Sequence, residues 1–289
     1  MMESPKQIVK QTDYQGEVKA DWCPGCGNFA QLTAVKMALA DLGIEPHNVV
    51  VVSGIGCSSN FPEFIRAYGF HGLHGRSLPV ASAIKWVNPK LTVLAYGGDG
   101  DGFFEGTQHF YHTAKRNVDI TYMVSDNQIF GLTTGQASPT SELGMVTKTT
   151  PEGNIEPPVN PLLLALSAGA TFVARAFSGD PKHIADITKK AIEHRGFSFI
   201  DVFSPCVTFN KLNTYDYFRK RVYKYEPEDP EDFAVAYKRA SEWGDKIPIG
   251  IFYQKSEPTY ADRDPVLSKV NLRESPYYKL KEQDLEEFL

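Results

Sequence analysis

The reading of the fold turns on LTVLAYGGDGDGFFEG at residues 91–106 and VDITYMVSDNQIFGLTTG at residues 118–135. Each stretch begins as an apolar run of strand length and ends in small residues and hard-oxygen side chains. The first ends in Gly97, Gly98 and Asp99, the second in Ser125, Asp126 and Asn127. Residues 105–117 between them are one helix long. A strand, a crossover helix and a second strand bring both strand ends to one edge of a parallel sheet. Doubly wound sheets bind their ligands at that edge. Asp99 and Asn127 are therefore expected close together on a glycine-rich turn. A carboxylate, an amide oxygen and a backbone carbonyl such as that of Ile129 suit Mg2+. Glycines 97, 98, 100 and 102 let a diphosphate approach, and a helix starting near Glu105 offers its N-terminus. Two polar turns without a metal fit the same spacing. GGDGDG is also not a GxGxxG fingerprint, because Phe103 and Glu105 stand where glycines are needed.

Outward from this stretch, the alternation continues. Helices are expected at 29–42, with Asn28 as N-cap and Gly43 just beyond the end, at 61–68, and at 78–87 with Pro79 in the first turn. Two more are expected at 161–168 and at 181–194, the latter capped by Ser178 or Asp180. Val49–Val52 is a continuous β-branched run, as in a strand buried on both faces; it ends in the small-residue loop 53–60. Further strands are expected at 171–176, 197–203 and 247–254. Residues 135–158, rich in Gly, Pro, Ser and Thr, are too long for a simple connection and read as a functional or mobile loop. The pattern predicts an α/β fold with a doubly wound, mostly parallel sheet over residues 1–205. Residues 206–289 read as a C-terminal extension rather than a second core.

The chain has 289 residues, 42% hydrophobic and 22% charged, with a formal net charge of -5. The acidic balance argues against nucleic acid. No apolar run approaches the roughly 20 residues that span a bilayer, so no membrane association is expected. The first 21 residues contain no apolar h-region, which makes a cytoplasmic location the default.

Four cysteines occur, Cys23, Cys26, Cys57 and Cys206. In a reducing compartment they suggest a metal site more than disulfides. A thioredoxin-like pair at Trp22-Cys23-Pro24-Gly25-Cys26 would follow a strong strand, and residues 12–21 are too polar for one. A zinc ribbon wants a second Cys-x2-Cys, and Cys57 and Cys206 stand alone. Four thiolates, two of them from remote loops, can instead hold a [4Fe–4S] cluster.

Gly98-Asp99-Gly100 followed by Asn127 resembles the thiamine-diphosphate motif. Together with Trp22-Cys23-Pro24-Gly25-Cys26-Gly27, Gly54-Ile55-Gly56-Cys57-Ser58, His74-Gly75-Arg76 and Ser204-Pro205-Cys206, it resembles the β subunit of archaeal two-subunit 2-oxoacid:ferredoxin oxidoreductases. The match runs from about Trp22 to Cys206. The resemblance implies a pyrophosphate-binding thiamine-diphosphate domain. It implies that Asp99, Asn127 and the Ile129 carbonyl hold Mg2+, and that Ile55, Gly56, Cys57, Ser58, His74, Gly100, Asp101, Gly131 and Leu132 line the cofactor. It implies that Cys23, Cys26, Cys57 and Cys206 ligate a [4Fe–4S] cluster. The implied reaction is coenzyme A-dependent oxidative decarboxylation of a 2-oxoacid (pyruvate, 2-oxobutyrate or 2-oxoglutarate) to acyl-CoA and CO2, with electrons passed to ferredoxin. The acid that activates the cofactor is implied to be a Glu of an α subunit, so this chain supplies no catalytic residue and acts only as part of αβ or α2β2. The rival is a non-redox thiamine enzyme with zinc or free cysteines. Asn60 is neutral near a position where some relatives carry Lys or Arg, so carboxylate recognition is not assigned to this loop.

Other groups read as structural: Glu63, Glu105 and His71, and the helix pair His109 and His112. Residues 214–225, TYDYFRKRVYKY, combine aromatics with Arg219, Lys220, Arg221 and Lys224, near Lys211. They suit contact with another subunit or with an acidic electron carrier.

Overall fold

The computed structural model describes residues 8–274. The eight strands of its single sheet are β1 (Val49–Ser53), β2 (Tyr68–His71), β3 (Thr92–Gly98), β4 (Ile120–Asp126), β5 (Phe172–Phe177), β6 (Phe197–Phe203), β7 (Val222–Tyr225) and β8 (Ile247–Gln254). The helices are α1 (Gly27–Asp41), α2 (Phe61–Phe64), α3 (Ser77–Val87), α4 (Thr107–Lys115), α5 (Pro161–Ala168), α6 (Pro181–Glu193), α7 (Tyr215–Arg219), α8 (Phe233–Ala240) and α9 (Tyr260–Arg263). The strand order is β2-β1-β3-β4-β6-β5-β8-β7, and every pairing is parallel except β5 with β8.

Both faces of the sheet are covered, which is why its central strands read as unbroken apolar runs. Val50 and Val52 of β1 join Val93 and Ala95 of β3, packing against Leu78 of α3, Phe110 of α4, Leu162 and Leu166 of α5, and Ala236 of α8. Val49 and Val51 face the other way with Leu94 and Tyr96, against Leu32, Val35 and Leu39 of α1 and Ile184 and Ile187 of α6.

Several sequence expectations are corrected. The predicted helix at 61–68 is the single turn α2; the chain then extends into β2, an edge strand with all four residues exposed. Pro62 sits in the first turn, where proline is tolerated, and the helix stops because Ile65 is already extended, with φ -123° and ψ 137°. The helix predicted from 105 begins as a π-type turn over Asp101–Glu105, and α4 proper starts at Thr107. Cys26, not Asn28, sits at the N-cap of α1; the Asn28 amide oxygen instead accepts the Ser125 hydroxyl at 2.7 Å. Gly43 does follow the helix end, with φ +65°, and Asp180 is the α6 cap, accepting the His183 N–H at 3.1 Å. Past residue 205 the chain adds two strands to the same sheet. β8 lies antiparallel beside β5 and β7 parallel beside β8, where the sequence predicted one strand.

β1 continues to β2 on one side, whereas its neighbour β3 continues to β4 on the other. The chain ends leaving β1 and β3 thus part company, which opens a crevice at the carboxyl ends of these two strands.

Candidate active site and cysteine cavity

The crevice between β1 and β3 is filled by the residues singled out from the sequence. Ile55, Gly56, Cys57 and Ser58 from the loop after β1, His74 after β2, Asp99, Gly100 and Asp101 after β3, and Asn127, Ile129, Gly131 and Leu132 after β4 line one cavity of about 70 Å3. Phe130 closes its rim, with His74 and Phe104 at 6.3 and 6.2 Å between ring centroids.

The loops are held by one carboxylate. Asp101 accepts the backbone N–H of Ile55 at 2.8 Å and of Gly75 at 2.7 Å, and His74 Nδ1 lies 3.2 Å away at ion-pair distance. It thereby ties the β1 loop and the 71–76 loop to the β3 turn. Gly54 is required by this knot, since a Cβ there would stand 2.2 Å from the Asp101 carboxylate. Asp101 raises the pKa of His74, against the opposing effect of burial. At Gly100, a Cβ would meet the Phe130 ring at 2.1 Å. These glycines are needed for close approach.

Asp99 is buried and its side chain accepts the Thr140 hydroxyl at 2.6 Å; the same hydroxyl lies 2.9 Å from Asp126. Burial lifts the Asp99 carboxyl to about 6. Asp126 is pushed up well above the usual carboxylate range by burial first, then by the charges of Asp201 and Asp99. Asp201 in turn pairs with Arg175 at 2.9 Å, both fully buried. Burial raises Asp201 and the guanidinium opposes that rise. Three buried carboxyls thus lie close to one buried guanidinium, and burial pushes each of them toward its neutral form. A divalent cation beside Asp99 would favour its ionised form. Asn127 offers its amide oxygen, which also accepts the Ile129 N–H at 3.0 Å, and the Ile129 carbonyl belongs to a residue of the same wall. Carboxylate, amide and carbonyl oxygens are the donors a hard cation takes. The residues fit the metal and a diphosphate.

The four cysteines meet around a second cavity, of about 260 Å3, also lined by Trp22, Asn60, Ser204, Val207 and Phe209. Trp22 Nε1 donates to the Cys57 carbonyl at 2.6 Å and so fixes the Cys23–Cys26 turn to the β1 loop. Cys57, Asn127, Gly131 and Leu132 belong to both cavities and form their common wall. Burial pushes the Cys26 thiol up to about 12 and the Cys57 thiol up to about 11, and neighbouring cysteines add to both. Mutually repelling thiolates want a cationic centre, which deprotonates a thiol outright when it coordinates. Among the described residues, no three His, Cys, Asp or Glu side chains form a group that could hold a single metal ion. Thiolates are donors for zinc and for iron–sulfur clusters alike, and the four here face one cavity.

His71 contacts Glu63 at 3.1 Å outside the cavity, and His109 and His112 lie along α4, in keeping with structural roles. Sequence reasoning passes over Thr140 and the depth of the Asp126–Asp201–Arg175 chain. Asp126 adjoins Asn127 and is visible from it; Thr140 sits in the irregular 135–158 loop with no local pattern to mark it. A wider cleft of about 500 Å3, lined by Glu45, His47, Arg66 and Tyr68 among others, takes up none of the predicted residues. No helix among the described residues is long and apolar enough to cross a membrane.

Comparison with known proteins defines the class first. Residues 33–202 match the thiamine pyrophosphate enzyme family, C-terminal TPP binding domain, and residues 206–269 match the C-terminal family of the pyruvate ferredoxin oxidoreductase beta chain. The 2-oxoacid:ferredoxin oxidoreductase subunit beta of Saccharolobus solfataricus is 46% identical over 282 residues, covering 89% of this chain and 92% of that one. The 2-oxoglutarate oxidoreductase subunit KorB of Mycobacterium tuberculosis is 40% identical over 234 residues, 79% of this chain and 62% of that one. A solved 2-oxoglutarate:ferredoxin oxidoreductase from Magnetococcus marinus, with 2-oxoglutarate, coenzyme A and succinyl-CoA bound, superposes with a TM-score of 0.86 at 47% identity, covering 87% of each chain. The chain belongs to the β subunits of the 2-oxoacid:ferredoxin oxidoreductases, a family of thiamine-dependent oxidoreductases. The non-redox alternative is not favoured.

Proposed function

We propose that this β subunit binds Mg2+ through Asp99, Asn127 and the Ile129 carbonyl, and thiamine diphosphate through Ile55–Ser58, His74, Gly100, Asp101, Gly131 and Leu132. Cys23, Cys26, Cys57 and Cys206 bind a [4Fe–4S] cluster. The observation that carries this reading is the buried Asp99 carboxylate in the wall of a glycine-lined crevice, beside Asn127 and Ile129. Bound thiamine diphosphate supplies the electron sink that lets a 2-oxoacid lose CO2.

This chain's own residues do the placing. Asp101 holds three loops at fixed distance, so the glycines of the β1 and β3 turns present backbone N–H groups to a diphosphate. Phe130 forms part of the rim. Burial of Asp99 leaves its charge available to a cation rather than to solvent. The shared wall of Cys57, Asn127, Gly131 and Leu132 keeps the cofactor and the cysteines adjacent. The acid that activates the cofactor lies on an α subunit, and the complete enzyme, αβ or α2β2, takes coenzyme A, a 2-oxoacid and ferredoxin in the cytoplasm. The 2-oxoglutarate, coenzyme A and succinyl-CoA of the Magnetococcus marinus structure support that substrate class.

The test is anaerobic co-purification with the α subunit. It is followed by iron, sulfide, magnesium and thiamine analysis, and by assay with pyruvate, 2-oxobutyrate and 2-oxoglutarate. Thiamine, iron and sulfide are expected in the complex, with broad absorbance at about 400 nm that bleaches on adding 2-oxoacid and coenzyme A. Stoichiometric zinc and no iron would defeat the cluster assignment. Turnover by this chain alone would defeat the assignment of the activating acid to a partner.

A further inference from the structure

The segment that follows Cys206 stands out electrostatically. In a chain of net charge -5, residues 206–225 hold five Lys or Arg against a single Asp. The segment is built onto the cysteine cavity. Val207 lines that cavity and lies 3.7 Å from where a Cβ at Gly25 would be, between Cys23 and Cys26. Lys211 Nζ donates to the Val207 carbonyl at 2.7 Å. Asn210 closes the same turn, donating its backbone N–H to the Cys206 carbonyl at 3.1 Å. α7 follows directly. Its first residue, Tyr215, packs against Phe177 at 5.8 Å between ring centroids. Arg219 lies over the Tyr215 ring at 5.7 Å.

The charges of this face are only partly spoken for. Lys224 pairs with Asp180 at 3.0 Å, and Arg221 stacks on Tyr217 at 3.9 Å. Arg219 approaches Asp216 at 3.5 Å, a pair exposed on both sides and worth little in water. Among the described residues, Lys211 and Lys220 enter no ion pair. Leu212 is exposed between them at 44%. Of the four cysteines Cys23 alone is exposed, so the cavity meets solvent on the side of the Cys23–Cys26 turn that Val207 touches. Lysines around an exposed apolar residue, next to the outlet of a redox centre, have the make-up of a small, transient, electrostatically steered interface.

We propose that the face formed by Lys211, Leu212, Arg219 and Lys220 docks an acidic one-electron carrier protein of the ferredoxin class. This rests on the cysteines holding a cluster, as proposed above. Each docked carrier gains one electron as the cluster loses one, so the two electrons of one 2-oxoacid leave on two carrier molecules in succession.

The experiment uses the αβ holoenzyme with a saturating 2-oxoacid and coenzyme A. Reduction of ferredoxin is compared with reduction of methyl viologen, a small dication that a basic face does not attract. The triple charge reversal Lys211→Glu, Arg219→Glu, Lys220→Glu is expected to raise the KM for ferredoxin at low ionic strength by about 10-fold or more. Its kcat with methyl viologen should be unchanged. Lys115→Glu, on α4, should change neither. With wild-type enzyme the KM for ferredoxin should rise as salt shortens the screening length.

A triple variant with wild-type KM for ferredoxin overturns the docking assignment. So does wild-type enzyme whose KM for ferredoxin is indifferent to salt, a result that needs no variant to fold. If the variant instead dissociates from the α subunit on gel filtration, the face belongs to the αβ interface and the proposal falls. Wild-type enzyme that reduces neither acceptor breaks the functional reading itself, whereas normal viologen reduction with unaltered ferredoxin kinetics breaks only the docking face.

Discussion

The two cavities share a wall and are built on opposite plans. The crevice at β1 and β3 is lined by oxygen and is nearly finished. Asp101 already holds two backbone N–H groups, Asp99 already accepts Thr140, and the open volume is about 70 Å3. The cysteine cavity is lined by sulfur, is several times larger at about 260 Å3, and its thiols are linked to one another only through the space between them. Hydrogen bonding preorganises the first, whereas the thiols of the second have no comparable ties to one another. On the proposed reading, protein oxygens hold the cation site in advance, while the cysteines surround space for a larger group.

The most drastic way to break this contrast is to remove one ligand at each end. Asp99→Ala in the αβ complex is expected to weaken Mg2+-dependent thiamine diphosphate binding by more than about 100-fold, beyond what loss of a supporting partner costs, while iron content stays normal. Cys26→Ser is expected to lower iron and leave thiamine affinity intact. Calorimetric titration with iron analysis reads both, and joint loss in either variant would mean that the two cavities assemble as one.

Next in size is Arg175→Met, which leaves Asp201 buried without its partner and should cost about 3–5 kcal/mol of stability in denaturant unfolding. A wild-type midpoint would show that the carboxylate chain tolerates its charge by protonation alone. Thr140→Val removes the hydroxyl between Asp99 and Asp126. A fall of about 10–100-fold in Mg2+ affinity is expected, restored by Thr140→Ser; an equal loss in both variants would assign the effect to the loop backbone.

The smallest effect concerns pH. Asp101 raises the pKa of His74 in the folded chain. The resulting stabilisation is present in full below the unfolded value of about 6.5 and is lost as pH rises through the folded value. The stability gap between wild type and His74→Gln should therefore narrow from mildly acidic to mildly alkaline pH. A gap that widens upward would reverse the sign of the coupling.

Much of the oxygen end is legible in the sequence because its residues follow strand ends, and strand ends of a parallel sheet share an edge. Asp99 and Asn127 need only the register of β3 and β4. The cysteines are harder, since Cys23 and Cys26 precede the first strand; the Trp22 bond to the Cys57 carbonyl that gathers them has no periodic signature. β2 reads as helix because the four residues Tyr68-Gly69-Phe70-His71 are too short a pattern to outweigh the apolar Phe61 and Phe64 before them. β7 is hidden in the basic aromatic run, where its register on β8 decides its state. Thr140 comes from a loop whose course is set by contacts distant in sequence, Asp99 above all.

β2 ends the sheet as a strand exposed at every residue, with Tyr68 61% and Phe70 47% accessible and Leu73 just beyond at 75%. An open apolar edge is a template for pairing with any other extended chain. Synthesised without its partner, the subunit should accumulate as insoluble material, and co-expression with the α subunit, with both messages translated side by side, is the condition under which soluble yield is expected.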